Sequence, residues 1–315
     1  MPKVRVNKDV ELAYESFGHG EPLLLIMGLG AQMVIWEEAF CRQLADRGYR
    51  VIRFDNRDVG ESTRLDHLPT PDTNRALINR LLGRKVESAY TLDDMAGDTF
   101  GLMDALGIDR AHVVGLSLGG MIAQCMALRN PARVRSLGVV MSGPGEVWAA
   151  LPTVTALRAL VTRPTSTERE IVVSHFVESL KILGVGGRHA TPEARLRELA
   201  ELSYQRGMTG RGFARQFSAI MAAAPRTRLL RNLRVPTVVI HGAADPLIPP
   251  LSGRLIASQI PGATLSVIEG LGHDLGPSVW PYVIDAIVDN ARRRLPKKPR
   301  PLGYVRAFTQ RAIHV

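Results

Sequence analysis

Apolar positions recur along the chain in two alternating periods, and that alternation predicts an architecture. Residues 10–16 alternate apolar and polar, as a half-exposed strand does. Residues 22–27 (PLLLIM) form a continuous apolar run, expected of a strand covered on both faces. A helical pattern over 36–47 ends near Gly48, and residues 50–54 are the next strand. Residues 92–106 are amphipathic and open on Thr91, a suitable N-cap. Further strands are predicted at 111–116, 136–141, 236–241 and 264–268. Strands alternating with helices need right-handed crossovers, which build a mostly parallel sheet flanked by helices.

The alternation breaks between Gly143 and Arg228. That stretch holds helical patterns at 153–161, 167–183, 192–205 and 212–223, and no strand. An all-helical insert after the sixth strand reads as a cap over one edge of the sheet. The expected plan is an α/β core of residues 1–143 and 229–295, a helical cap of 144–228, and a tail of 296–315. The tail opens on PKKPRP, whose prolines favour extended chain.

Charge alters the picture little. The chain carries 40 basic and 30 acidic residues, but eight of the basic ones fall within 292–315, leaving 32 against 30 elsewhere. A nearly neutral body with a basic tail does not predict a nucleic-acid cleft. The tail is expected to be a solvated appendage, with weak contact to anionic membranes as the alternative. The N-terminus has no apolar core of a secretory signal, and no apolar run is long enough to span a bilayer. Cys41 and Cys125 have no metal-ligand or disulfide-framework spacing and fall among apolar helical positions. These features predict a reduced, cytoplasmic protein.

The chemistry enters at Gly115-Leu116-Ser117-Leu118-Gly119, a G-x-S-x-G between a buried strand and a helix. A serine hydroxyl is a poor nucleophile unless it is held clear of the backbone beside a base. A sharp strand-to-helix turn does this, and the helix N-terminus adds N–H groups where an oxyanion would develop. The pentapeptide alone is weak, so its partners decide. Asp245 lies just past the strand at 236–241, and His273 lies in the glycine-rich loop after the strand at 264–268. Ser117, Asp245 and His273 have the order and loop positions of a catalytic triad. The remaining histidines in the body, His241 among them, are less suitably placed.

A tetrahedral oxyanion needs two convergent donors. The backbone N–H groups of Leu118 and Leu29 are the candidates, the second from the loop Gly28-Leu29-Gly30. A dinucleotide-binding reading of that G-x-G fails at its third glycine position, which is Met33.

Together the segments MGLG, FDNRDVGES, GLSLGG, HGAADPLIP and GLGH resemble the α/β-hydrolase fold superfamily over about residues 10–145 and 230–290. The chain is similar to its bacterial branch of aclacinomycin methylesterase-like and lipase/esterase members. That resemblance implies ester hydrolysis without metal or cofactor, by Ser117, Asp245 and His273 with Leu29 and Leu118 as donors. It also implies that Asp55 and Arg57 brace the oxyanion loop rather than touch substrate. Many relatives carry His-Gly where this chain has Met27-Gly28.

The substrate pocket is expected between the strands' C-terminal edge and the insert. Met33, Trp36 and Trp148 are its candidate wall residues, and apolar walls favour a small to medium ester of low charge. A serine carboxylesterase is the first reading. A lactonase, C–C bond hydrolase or cofactor-free perhydrolase on the same triad is the alternative, and a non-catalytic ligand-binding homologue the third. No metal, cofactor or nucleic-acid partner is expected, and oligomeric state is left open.

Overall fold

The computed structural model describes residues 1–208 and 210–293. Eight strands form one sheet: β1 (Lys3–Arg5), β2 (Glu11–Phe17), β3 (Glu21–Ile26), β4 (Tyr49–Phe54), β5 (Ala111–Leu116), β6 (Val134–Val140), β7 (Thr237–Gly242) and β8 (Thr264–Ile268). Their spatial order is β1-β2-β4-β3-β5-β6-β7-β8. β2 runs antiparallel to β1 and β4, and every other pairing is parallel.

The apolar runs occupy the middle of this sheet because both faces are covered. Side chains alternate faces along a strand. Leu24 and Ile26 therefore join a core with Met95, Leu102 and Ile122, on α3 (Leu92–Ala105) and α4 (Leu118–Arg129). Leu23 and Leu25 join the opposite core with Phe40, Leu44, Val283 and Ile287, on α1 (Glu38–Ala45) and α11 (Trp280–Arg292). Thr91 caps α3 as expected, in a reciprocal box with Asp94 that contributes about 1 kcal/mol.

Between β6 and β7 lie α5 (Val154–Val161), α6 (Arg169–Gly184), α7 (Glu193–Gln205), α8 (Gly210–Ala222) and α9 (Thr227–Leu230), with no strand among the described residues. Val173, Val177, Leu196 and Ala200 give α6 and α7 a small core of their own.

Three helices were not predicted, the single turn α9 among them. In α2 (Thr73–Leu81) only Ala76 is buried, while Leu77 and Leu81 face a cavity, so no core-facing stripe marks it. α10 (Pro250–Gln259) begins at a Pro-Pro pair that reads as a breaker, yet proline at the first helical position is preorganised for the helix.

Cys41 and Cys125 are free and buried, and burial pushes their thiols up to about 12 and about 11. No helix among the described residues is long and apolar enough to cross a membrane. The basic tail, with its expected membrane contact, lies outside the described residues beyond Arg293.

Candidate active site

Ser117 follows β5 directly and caps α4 with φ 54° and ψ −118°, a conformation strained for any residue but glycine. Its neighbours hold it there. The Ser117 amide donates to Val140 O at 2.9 Å, and its carbonyl accepts from Ser142 Oγ at 2.7 Å and Gly120 N at 2.9 Å. The flanking glycines are required by space: a Cβ on Gly115 would lie 2.1 Å from Gly119 O, and one on Gly119 would lie 2.0 Å from Ile26 O.

Asp245 follows β7, and its side chain is fully buried. Its Oδ1 accepts from Leu247 N and Ile248 N, both at 2.9 Å, and its Oδ2 lies 2.7 Å from His273 Nδ1. Burial opposes charge on this carboxyl. The attraction of His273 and hydrogen bonds from His241, His273 and the Ile248 N–H outweigh it, holding the carboxyl well below the usual carboxylate range. A carboxylate can only accept, so Nδ1 carries the proton and Nε2 keeps its lone pair. The loop carrying His273 is pinned to the insert by His273 N donating to Leu183 O at 2.8 Å. Ser117 and His273 line one cavity of about 1050 Å³ beneath the insert, with Asp245 behind the imidazole and off its wall.

His241, set aside on sequence grounds, sits against the same carboxylate. Its Nε2 lies 2.8 Å from Ile248 O and 3.5 Å from Asp245 Oδ2, in full burial. A carbonyl acceptor at that distance fixes the proton on Nε2, so His241 presents an N–H to Asp245.

The loop after β3 approaches the serine closely enough that a Cβ on Gly28 would be 3.3 Å from Ser117 Cβ. In that loop the Gly30 amide donates to Gln216 Oε1 at 2.8 Å, Ala31 N to Gly28 O at 3.3 Å, and Met33 N to Asp55 Oδ1 at 2.7 Å. Neither Leu29 N–H nor Leu118 N–H donates to any of the described residues. Both remain available to an oxyanion.

Asp55 thus touches the loop as expected, and Arg206 of the insert pairs with its other oxygen. Arg57 behaves differently. Its guanidinium pairs with Asp98 on α3 at 2.5 and 2.7 Å, and only its carbonyl reaches the loop's support, accepting from Gln216 Nε2 at 2.8 Å. Gln216 and Arg206 were not anticipated. The available signal was the pair Arg215-Gln216 between Phe213 and Phe217, polar residues on the buried face of α8.

The three expected wall residues are not on the cavity. Met33 is fully buried under the loop, where its own amide is tied down. Trp36 is fully buried in the core and stacks on Phe40 at 5.4 Å between ring centroids. Trp148 is 60% exposed on a short 3-10 turn, while its neighbours Val147 and Ala150 line the cavity instead.

A strained serine just past a central parallel strand, sharing a cavity with a histidine paired to a carboxylate, places the molecule in a known class. The family model of the α/β hydrolase fold matches residues 21–276, and the chain belongs to that family. It is 32% identical over 319 residues to rhodomycin D methylesterase of Streptomyces sp. (strain C5), spanning 93% of this chain and 99% of that protein. It is 30% identical over 269 residues to 2-hydroxymuconate semialdehyde hydrolase of Pseudomonas sp. (strain CF600), covering 81% of each. Among solved structures, 2-hydroxy-6-oxo-6-phenylhexa-2,4-dienoate hydrolase of Rhodococcus sp. strain RHA1 superposes with a TM-score of 0.71 at 16% identity, over 92% of this chain and 98% of that one. That last likeness is one of fold.

Proposed function

We propose that the protein is a serine hydrolase of carboxylic esters, with Ser117 as nucleophile, His273 as general base and Asp245 as the group that orients it. The observation that carries this reading is the 2.7 Å contact of His273 Nδ1 with a buried carboxylate, on the wall of the cavity that Ser117 also lines. His273 Nε2 takes the Ser117 proton as Oγ attacks the carbonyl carbon, and the developing oxyanion accepts from Leu29 N–H and Leu118 N–H. The imidazolium then returns the proton to the departing alcohol. Water, deprotonated by the same histidine, releases the acid from the acyl-enzyme and restores the serine.

Residues 144–228 serve in this reading as the cap that closes the cavity over Ser117. Similarity to the methylesterase along nearly its full length supports an ester as substrate. The same apparatus would open a lactone, and similarity to a 3-oxoadipate enol-lactonase of Acinetobacter baylyi makes that the second reading.

A fluorophosphonate probe should label Ser117 in the native protein and not in Ser117→Ala. A panel of p-nitrophenyl and methyl esters should be hydrolysed only by the former. Equal ester turnover by Ser117→Ala, with an unchanged unfolding temperature, would overturn the assignment.

A further inference from the structure

Among the charged residues on the cavity wall, one cation is left without an acceptor. Arg163 lies in the segment joining α5 to α6, remains accessible, and lines the same cavity as Ser117 and His273. Among the described residues it has no carboxylate partner and no hydrogen-bond acceptor, in contrast to the other arginines on the wall and to Glu37 and Asp274. Glu37 pairs with Arg195 at 2.8 Å, and Asp274 accepts from Thr191 Oγ1 at 2.6 Å. Arg226 donates to Gly143 O at 3.1 Å and Arg80 to Gly145 O at 2.6 Å. Glu146, also on the wall, has no ion pair among the described residues either, with Arg163 or any other group.

The position of Arg163 is specific. Its guanidinium carbon lies 3.7 Å from the centroid of the Phe213 ring. Stacking on an aromatic face holds a guanidinium through its flat side and leaves its in-plane N–H fork open. Phe213 in turn covers the oxyanion loop: a Cβ on Gly30 would be 2.7 Å from its ring. The fork therefore stands one aromatic ring away from the residue next to Leu29. Burial by its surroundings pushes the Arg163 guanidinium down from its ordinary value, yet an arginine stays charged in proteins. A held, unpaired, partly desolvated cation in the cavity that Ser117 and His273 also line lacks a counter-charge, and a planar fork fits a carboxylate in two parallel hydrogen bonds.

We propose that Arg163 selects substrate by binding an ionised carboxylate on it, so that the preferred esters are monoesters of dicarboxylic acids or similarly anionic acyl esters. This rests on the ester-hydrolase reading above, and it replaces the low-charge substrate expected from sequence. The apolar part of the wall holds the chain between the ester and the anionic end. Arg163 supplies the charge.

The test compares p-nitrophenyl hemiesters of four- to eight-carbon dicarboxylic acids with p-nitrophenyl alkanoates of equal length. The readout is the ratio of kcat/KM for each anionic ester to that of its neutral counterpart. At the best length, Arg163→Gln should lower this ratio about 10- to 100-fold, the range of one charged hydrogen-bonded contact. Arg163→Lys, which keeps the charge without the fork, should fall between. Turnover of the neutral ester reports that the variants are folded. A ratio unchanged in Arg163→Gln would overturn the proposal while leaving the esterase reading intact. If the wild type hydrolyses no ester, that reading fails separately, and calorimetric titration with the free four- to eight-carbon dicarboxylates decides the anion site. Binding lost in Arg163→Gln supports the site; binding equal in both proteins, or absent from the wild type, rejects it.

Discussion

Replacing Asp245 by asparagine changes one atom, and the structure dictates which way the new amide must face. Oδ1 accepts two backbone N–H groups, from Leu247 and Ile248 at 2.9 Å, whereas Oδ2 faces His273 Nδ1 at 2.7 Å. Turning the amide NH2 toward the backbone would set two donors against it, at about 1–3 kcal/mol for each buried N–H left unpaired. The carbonyl oxygen therefore stays on the backbone side and the NH2 points at His273. That ring must then offer a lone pair at Nδ1, which moves its proton to Nε2. A protonated Nε2 cannot accept the serine proton.

The wrong tautomer in a serine triad costs about 10⁴ in kcat, or roughly 5.5 kcal/mol of activation free energy. Stability should change by much less, because both backbone hydrogen bonds survive. The assay is kcat for p-nitrophenyl butyrate, alongside thermal unfolding of both proteins. Asp245→Asn retaining more than a tenth of wild-type kcat would refute the reasoning. The wild-type carboxyl, held well below the usual range, should itself remain ionised across the assay range of about pH 5–9, so it does not set the acid limb of activity.

Asp58→Asn should destabilise the fold by about 3–5 kcal/mol in urea titration, because it strips the charge from a pair in which neither Asp58 nor Arg215 is exposed; a loss under 1 kcal/mol would contradict this. His112 is held neutral by burial, its value pushed below the ordinary one despite Glu21 beside it. The unfolded chain therefore binds the extra proton first, so this contribution is complete above about pH 6.5 and is lost as pH falls toward the folded value. His112→Gln should flatten the dependence of Tm on pH between about 5 and 7, and an unchanged slope counts against it. Gly119→Ala would put a Cβ 2.0 Å from Ile26 O, a rigid backbone atom. It should lose several kcal/mol or fail to fold, and a soluble variant with wild-type Tm would show that the turn can relax.

The sheet was legible because buried parallel strands demand uninterrupted apolar runs. The stretch at 111–116 falls on the fully buried β5 residue for residue, and 264–268 matches β8 although that edge strand is partly exposed. The Ser117 turn was legible because space forces glycine on both sides of it. The cavity wall was not. Core and cavity make the same request of a side chain, that it be apolar, so Trp36 and Met33 could not be told from wall residues until the fold put Met33 beneath the loop and Trp36 in the core. α2 escaped for the reciprocal reason, since Leu77 and Leu81 face a cavity rather than the core and leave no buried stripe. His241 was passed over because its strand position says nothing of the carboxylate four residues on, which the turn after β7 folds back against it.

The polar residues of the insert show how binding and chemistry are joined. Three amides near the tip of the oxyanion loop are engaged: Gly30 by Gln216, Ala31 by Gly28, and Met33 by Asp55. The direction of the Leu29 N–H, just before them in the chain, is set by what these neighbours are tied to. Two of those ties lead into the insert, through Gln216 on α8 and through Arg206, which holds both Asp55 and Gln32. Phe213, one turn before Phe217 on the same α8, covers Gly30 and carries Arg163. The group that would feel an anionic substrate and the group that would stabilise its oxyanion are thus fixed to one helix. A substrate that displaces α8 moves the donor with it, so substitutions at this contact should change kcat and KM together rather than KM alone.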